Sequence, residues 1–397
     1  MAGGPLNGLR VLDASQVMAG PYCSMLLADM GADVVKVEKP NGGDDARRLG
    51  PPFINGESAA FLGINRNKRS IGIDLKNPRG RELFSALADR ADVVLENYRP
   101  GTMDALGLGY DTLSADRPEL IYCSISGFGQ SGPYRERGGF DLVAQGMSGL
   151  MSITGHPNQP PVKVGVPLCD LNAGMQAAFG ILCAYINRLQ TGSGQWVDVS
   201  LLEAGIAATM WESAIYFASG TVAQRLGSAH RMAAPYQALR ASDGHLTIGA
   251  ANQSNWEKLC SVLGRADLLD DDRFRDNPAR TVNAAELAGE LEQTLSQKTI
   301  ASWLLLLEQA GIPAGPLNDI AAVYADPHVQ ARDMVVEIEH PIAGNLKHIG
   351  IPMKLSDTPG SIDRPAPILG QQTEVILREI GLTPEEIPTL YEEKIVV

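Results

Sequence analysis

Leu9-Arg-Val-Leu-Asp-Ala-Ser-Gln-Val-Met-Ala-Gly-Pro21, followed by Asp33-Val-Val-Lys-Val-Glu38, is the stretch on which the fold turns. Leu9 to Asp13 reads as a short apolar strand ending on a carboxylate. A loop from Ala14 to Gly20 leads into a helix that opens with Pro21 and runs to about Met30, where Gly31 ends it. Proline suits a first helical turn, whose N–H groups lack partners anyway, and glycine suits the position after the last turn. Asp33 to Glu38 is a second apolar strand, so the segment has the length and pattern of a βαβ unit. Such units build parallel sheets and collect ligands at the carboxyl ends of their strands. The dinucleotide signature Gly-x-Gly-x-x-Gly is missing, because Gly20 is the only glycine between Asp13 and Met25. That excludes a nicotinamide-dependent dehydrogenase, although Glu38 stands where a ribose-binding acid would.

The pattern recurs along the chain. Ser70 to Leu75 reads as a strand, Arg79 to Asp89 as a helix opened by Asn77-Pro78, and Asp92 to Glu96 and Leu120 to Ile125 as further strands. Small, polar or basic residues follow each strand at one common edge: Lys39, Lys76, Asn97 with Arg99, and the glycine-dense loop Ser126-Gly-Phe-Gly-Gln-Ser-Gly-Pro-Tyr134. That edge is the expected ligand edge. Phe140 to Leu150 and Leu201 to about Ser219 read as helices, and Trp196 to Ser200 as a strand between them. Tyr236 to Ala250 alternates around Ser242-Asp-Gly244 as a hairpin, followed by helices at Gln253 to Leu263, Asn283 to Ser296 and Thr299 to Ala310. Val335 to His340 and His348 to Met353 read as strands and Gln372 to Gly381 as a helix, in a segment with no evident core of its own. The expectation is an α/β protein: a Rossmann-like large domain built from both chain ends (residues 1–217 and 327–397), a connector at 218–233, and a smaller α+β domain at 234–326.

Composition narrows the function. With 397 residues, 44% of them hydrophobic, the chain can bury a large core. Thirty-three Lys and Arg against 46 Asp and Glu leave a formal charge of −13, which argues against nucleic acid and anionic membranes as partners while allowing one local phosphate site. Cys23, Cys123, Cys169, Cys183 and Cys260 are widely spaced with no Cys-x-x-Cys pair, as expected of free thiols in a reducing compartment. The six histidines show no helical pairing and no His-Glu-x-x-His, so no metal site is expected. Gly146-Met-Ser-Gly-Leu150 is not the Gly-x-Ser-x-Gly elbow of a serine hydrolase. No apolar run approaches the ~18 residues of a membrane span, and Met1-Ala-Gly-Gly-Pro5 has neither the basic nor the apolar part of a secretory signal, so a cytoplasmic protein is expected.

The residue singled out for chemistry is Asp170. Lys163 to Leu168 reads as an extended run and Leu171 to Leu189 as a helix rich in Ala, Gly and Met, which places Asp170 at the junction. Helix N-termini carry unsatisfied N–H groups and favour an anion. Asp170 is therefore readable as an ordinary N-cap, or as a reactive carboxylate in a small-residue pocket. Cys169 beside it reads as a small buried hydrophobe, because nothing marks a histidine base near it.

Leu12 to Pro21, Leu27 to Glu38, Asn65-Arg-Asn-Lys-Arg-Ser-Ile-Gly-Ile-Asp-Leu-Lys76, Ala91-Asp-Val-Val-Leu-Glu-Asn-Tyr-Arg-Pro-Gly101, Gly165 to Asp170, Ala366 to Gly370 and Val375 to Leu382 together resemble the class III CoA-transferases, the CaiB/BaiF family. That family includes formyl-CoA:oxalate and succinyl-CoA-dependent dicarboxylate CoA-transferases. The resemblance implies that Asp170 attacks an acyl-CoA thioester, and that CoA passes to a small carboxylic acid through aspartyl anhydride and aspartyl-CoA thioester intermediates. It implies CoA contacts at Met18 and Ala19, at Lys39, at Ile73, Asp74, Leu75 and Lys76, at Asn97, Tyr98 and Arg99, and at Gly138, Gly139, Phe140 and Asp141. Lys39 and Lys76 would meet phosphates, with Arg99 beside them. CoA is then a substrate, with no permanently bound cofactor, and the assembly is an interlocked homodimer. Two departures stand out. Ala105 occupies a position that is often arginine in relatives, leaving Arg99, Arg135 or Arg137 to supply that contact, and His230 to Tyr236 replaces the glycine-rich flap of the oxalate enzymes. An α-methylacyl-CoA racemase of the same fold is the rival reading. Its histidine matches Phe140, so one of its two bases is lost. A non-catalytic CoA-binding protein, tolerant of losing Asp170, is the third. Arg225, His230 and Arg231 are candidates for a second substrate carboxylate, or simply a solvated loop.

Overall fold

The strand pattern becomes one six-stranded sheet in the computed structural model, which describes residues 4–397. Its strands are β1 (Arg10–Asp13), β2 (Asp33–Glu38), β3 (Lys68–Gly72), β4 (Val93–Glu96), β5 (Ile121–Ser126) and β6 (Trp196–Ser200). They lie in the order β3-β2-β1-β4-β5-β6, every neighbouring pair parallel, with Leu12 flanked by Val35 and Val94. The chain winds outward from β1 through β2 and β3, then returns to the other side of β1. Connections leaving β1 and β4 therefore diverge, opening a crevice at their carboxyl ends.

Alternate residues of each strand feed opposite faces, as the pleat requires. Val11, Val34, Val93, Leu95, Ile121 and Cys123 pack under helices α1 (Ala19–Asp29) and, further along the chain, Leu168–Thr191. Leu12, Val35, Val37, Ile71, Val94 and Tyr122 pack under α2 (Pro78–Ala88) and the C-terminal residues Ile376, Leu377, Leu390 and Val396. Full burial of each large apolar side chain contributes about 1.5–3 kcal/mol. Three more helices complete the picture needed for the site: α3 (Asp141–Met147), α4 (Leu168–Thr191) and α5 (Leu201–Ala208). A Cβ at Gly174 of α4 would stand 2.7 Å from the Ala19 carbonyl oxygen, so glycine is what lets α4 close on α1.

Several boundaries differ from expectation. The strand read at Ser70 to Leu75 is Lys68–Gly72, because the C-terminus takes over the backbone beyond it: Asp74 N–H donates to Ile395 O at 2.8 Å and Val397 N–H to Gly72 O at 3.2 Å. The strand read at His348 to Met353 is Gly344–Ile349, paired antiparallel with Val335–His340. The long helix from Leu201 breaks at Thr209 into Leu201–Ala208 and Met210–Ser219. The helix read from Leu171 begins three residues earlier, at Leu168.

The chain divides into two compact units. One comprises residues up to Leu150, Lys163–Ile215 and Pro327–Val397, the other Met151–Val162 and Tyr216–Asp326. Met151–Val162, inside the stretch assigned to the large domain, thus groups with the second unit. That unit holds a three-stranded antiparallel sheet (Tyr236–Ala241, Gly244–Gly249, Ala314–Pro316) and a core centred on Trp256, Leu259, Leu291, Trp303 and Leu307. Among the described residues no helix is long and apolar enough to cross a membrane.

Candidate active site

At the crevice between β1 and β4 lies a cavity of about 410 Å³. The loop after β1 lines it with Gln16, Val17, Met18 and Ala19, the loop after β4 with Asn97, Tyr98 and Arg99, and the loop after β5 with Ser126 and Gly127. Gly138, Gly139, Phe140 and the Asp170 carboxyl close the remaining side. Two of these segments cross at a glycine pair. A Cβ on Gly127 would sit 2.6 Å from the Gly139 Cα, so the backbones can pass only because neither carries a side chain.

A second cavity, of about 700 Å³, is lined by Lys39, Ile73, Asp74, Leu75, Lys76, Thr102, Ala105 and Leu106. Gln16, Tyr98, Arg99 and Pro100 line both cavities. The structure therefore brings Met18, Ala19, Asn97, Gly138, Gly139, Phe140 and Asp170 to one chamber, and Lys39 with Ile73 to Lys76 to the adjoining one, with Tyr98 and Arg99 on the shared wall. Lys39 Nζ lies 2.5 Å from Asp45 Oδ1 at an exposed ion pair. Asp141 lines neither chamber; its carboxylate works beneath Asp170.

Asp170 is not the cap of its helix. It sits in the first turn of α4, and the capping is done across the chain by Asp141: its Oδ1 accepts from Cys169 N–H at 2.9 Å and, at a long 3.5 Å, from Asp170 N–H. Asp141 Oδ2 in turn accepts from Gln145 Nε2 at 2.7 Å, and Gln145 Oε1 accepts from Val164 N–H at 2.8 Å. Burial first, and then the Asp141 carboxylate beside it, push the Asp170 carboxyl up to about 7. The helix N–H groups expected to hold Asp170 ionised donate instead to Asp141, so they do not offset the burial that disfavours the Asp170 anion. Cys169 is fully buried, with its thiol pushed up to about 11 by burial and by both carboxylates, which disfavours the thiolate. A Cβ on Gly205 would stand 2.9 Å from its sulfur, so Cys169 is a packing residue between α4 and α5.

Gln16 and Gln145 escaped the sequence reading, which names Arg137 only as a candidate phosphate contact. Arg137 lines the Asp170 chamber with its guanidinium 3.8 Å above the Tyr134 ring, and Gln145 is fully buried. Gln16 could have been found from its place in the loop after β1, whereas Gln145 lies inside a helix and carried no such signal. Of the three arginines considered as substitutes at Ala105, Arg99 and Arg137 line a chamber, whereas Arg135 reaches only Glu136, at 3.8 Å. In the second unit His230 Nδ1 accepts from Met232 N–H at 3.1 Å and Arg231 donates to Gln224 O at 2.7 Å. Among the described residues lining the Asp170 chamber none is a histidine, and Phe140 at the racemase position is 78% exposed.

Comparison with known proteins bears on this geometry. Residues 6–373 match the family described as CoA-transferase family III. Succinyl-CoA:glutarate CoA-transferase of Homo sapiens is 40% identical over 376 residues, covering 95% of this chain and 86% of that protein. Succinyl-CoA:mesaconate CoA-transferase of Haloarcula hispanica is 40% identical over 390 residues, covering 96% and 97%. The crystal structure of a CaiB/BaiF family protein from Brucella suis superposes with a TM-score of 0.85 at 41% identity, covering 95% of this chain and all of that one. A parallel sheet whose switch-point crevice holds a half-buried carboxylate, matched over nearly its whole length by these proteins, makes this chain a member of CoA-transferase family III, an enzyme whose substrates are CoA thioesters and small carboxylic acids.

Proposed function

We propose that the enzyme transfers CoA from succinyl-CoA to a short dicarboxylic acid such as glutarate or mesaconate, with Asp170 as the nucleophile. The observation that carries this reading is the Asp170 carboxyl lining a chamber that shares a wall with a second, lysine-bearing chamber of CoA-like extent. Lys39 and Lys76 meet the phosphates there, with Arg99 at the junction, and pantetheine runs past Gln16 and Tyr98 toward Asp170. An Asp170 oxygen attacks the thioester carbonyl and the C–S bond breaks, giving an acyl-aspartyl anhydride and CoA thiolate. The thiolate attacks the aspartyl carbonyl, releasing succinate and leaving an aspartyl-CoA thioester. The acceptor carboxylate then displaces thiolate to form a new anhydride, and thiolate attacks the acceptor's carbonyl, restoring Asp170. A carboxylate is a weak nucleophile in water and an anhydride hydrolyses readily, so the partly buried setting serves both steps.

Further features support the larger reading. Phe179 and Leu189 on α4, and Met210 and Phe217 on the helix Met210–Ser219, are large, apolar and exposed, as an interlocked homodimer would require. Five free cysteines fit a reducing, cytoplasmic setting. The test is hydroxylamine trapping during turnover of succinyl-CoA and glutarate, followed by mass spectrometry of the peptide containing Asp170. A hydroxamate at Asp170 is expected. Transfer that persists in Asp170→Asn with no adduct would refute the mechanism, and exchange of solvent deuterium into the α-carbon of a 2-methylacyl-CoA without any acceptor acid would favour the racemase instead.

A further inference from the structure

Three consecutive residues of the loop after β1 have their backbone held by side chains from four separate places in the chain. Asp13 Oδ1, at the end of β1, accepts from Ser15 N–H at 2.9 Å, and Lys36 Nζ, on β2, donates to Ser15 O at 2.9 Å. Asn97, after β4, accepts from Gln16 N–H and donates to Gln16 O, both at 2.7 Å. Asp44 Oδ1, after β2, accepts from Val17 N–H at 2.9 Å. The ions behind these bonds are paired among themselves: Lys36 Nζ stands 2.8 Å from Asp44 Oδ2 and Lys68 Nζ 3.2 Å from Asp13 Oδ2, all four side chains fully shielded from water. Gln16 and Val17, the residues so held, line the Asp170 chamber.

Val17 has φ 67°. A β-branched residue in the left-handed region is a steric outlier, and such a conformation persists only where its surroundings over-determine it. A strand-to-helix connection has no need of this arrangement, because burying four ions carries a desolvation cost that apolar residues of similar size would not. The intrinsic preference of Val17 pulls the loop toward negative φ, and the buried side chains hold it against that pull.

We propose that Lys36 and Asp44 are positioning residues for acyl transfer, holding the Ser15–Val17 backbone in the arrangement that faces the Asp170 carboxyl across the chamber. Their importance to rate arises because Val17 would otherwise relax. This rests on the reading of Asp170 as the nucleophile. The double variant Lys36→Met/Asp44→Ala removes one cation and one anion together with the acceptor of Val17 N–H, so the pair leaves no uncompensated charge behind. Its kcat for succinyl-CoA and glutarate is expected to fall about tenfold to a hundredfold, with the KM for succinyl-CoA within about threefold of wild type. Val17→Gly alone sets the reference kcat, because glycine accepts a positive φ without a clash. Added to the double variant, Val17→Gly recovers most of the lost kcat. Hydrogen exchange tests the lock without any assay of activity: the Gln16 and Val17 amides lose protection in the double variant.

The proposal is overturned if the double variant, folded, keeps wild-type kcat, or if the same kcat is lost with and without Val17→Gly. Should the double variant not fold, Asp44→Ala alone, which removes the acceptor of Val17 N–H and leaves Lys36 the charges of Asp13 and Glu38, decides the matter by the same two measurements. Wild-type enzyme inactive on succinyl-CoA and glutarate would refute the substrate reading, and the exchange data would still judge the lock.

Discussion

Asp170 carries a cost that a structural cap would not. Its carboxyl is raised from the ordinary 3.8 to about 7, so between those values the folded protein keeps a proton that the unfolded chain has released. Stability contributed through this residue therefore falls as pH rises through that window, by on the order of 2 kcal/mol once solvent screening is allowed for. Asp170→Asn removes the penalty: in thermal unfolding the variant should gain on wild type at pH 8 and show no gain below pH 4. The same substitution should lower kcat by about a thousandfold or more, since the attacking oxygen is lost. The proposed mechanism needs the carboxylate, so kcat/KM of the wild type should fall on the acid side with a midpoint near pH 7. A profile flat between pH 5 and 8 would disconnect this group from the rate.

At the scale of elements, the first turn of α4 is organised by α3, through Asp141 and Gln145. Asp141→Asn keeps an oxygen to accept from Cys169 N–H but removes the charge beside Asp170. The acid limb of kcat/KM should move to lower pH, while a purely structural cap would leave it in place and change only the melting temperature. The crossing of Gly127 and Gly139 makes a second point of leverage. Gly127→Ala places a methyl carbon 2.6 Å from the Gly139 Cα and must displace one segment, so a raised KM for acyl-CoA and a destabilisation of about 1–3 kcal/mol are expected from steady-state kinetics and denaturant unfolding.

For the whole molecule, the apolar surface left exposed on one chain is the consequential feature: Phe179 is 65% and Phe217 82% exposed. Sedimentation velocity should give a dimer, and Phe179→Asp with Phe217→Asp should shift it toward monomer together with loss of transfer activity. A monomeric, fully active wild type would remove the homodimer from the proposed reading. The C-terminal segment belongs to the same scale. Ile376, Leu377, Leu390 and Val396 are buried against the sheet face formed by Ile71, Val94 and Tyr122, so the chain's two ends make one core.

Local sequence determined much of this protein. The βαβ pattern from Leu9 to Glu38 and its recurrence along the chain were enough to read a parallel α/β sheet, because strand periodicity and turn chemistry are short-range properties. Tertiary structure decided what depends on groups distant in the chain. Asp141 rather than Asp170 caps α4, across 28 residues, and β3 ends at Gly72 because Ile395 and Val397 capture the backbone around it. Lys36, Asp44 and Asn97 converge on a loop whose own sequence, Ser15-Gln-Val17, predicts nothing unusual. Side-chain partners brought together by strand order, and the burial that makes those partners strong, exist only once the sheet has formed.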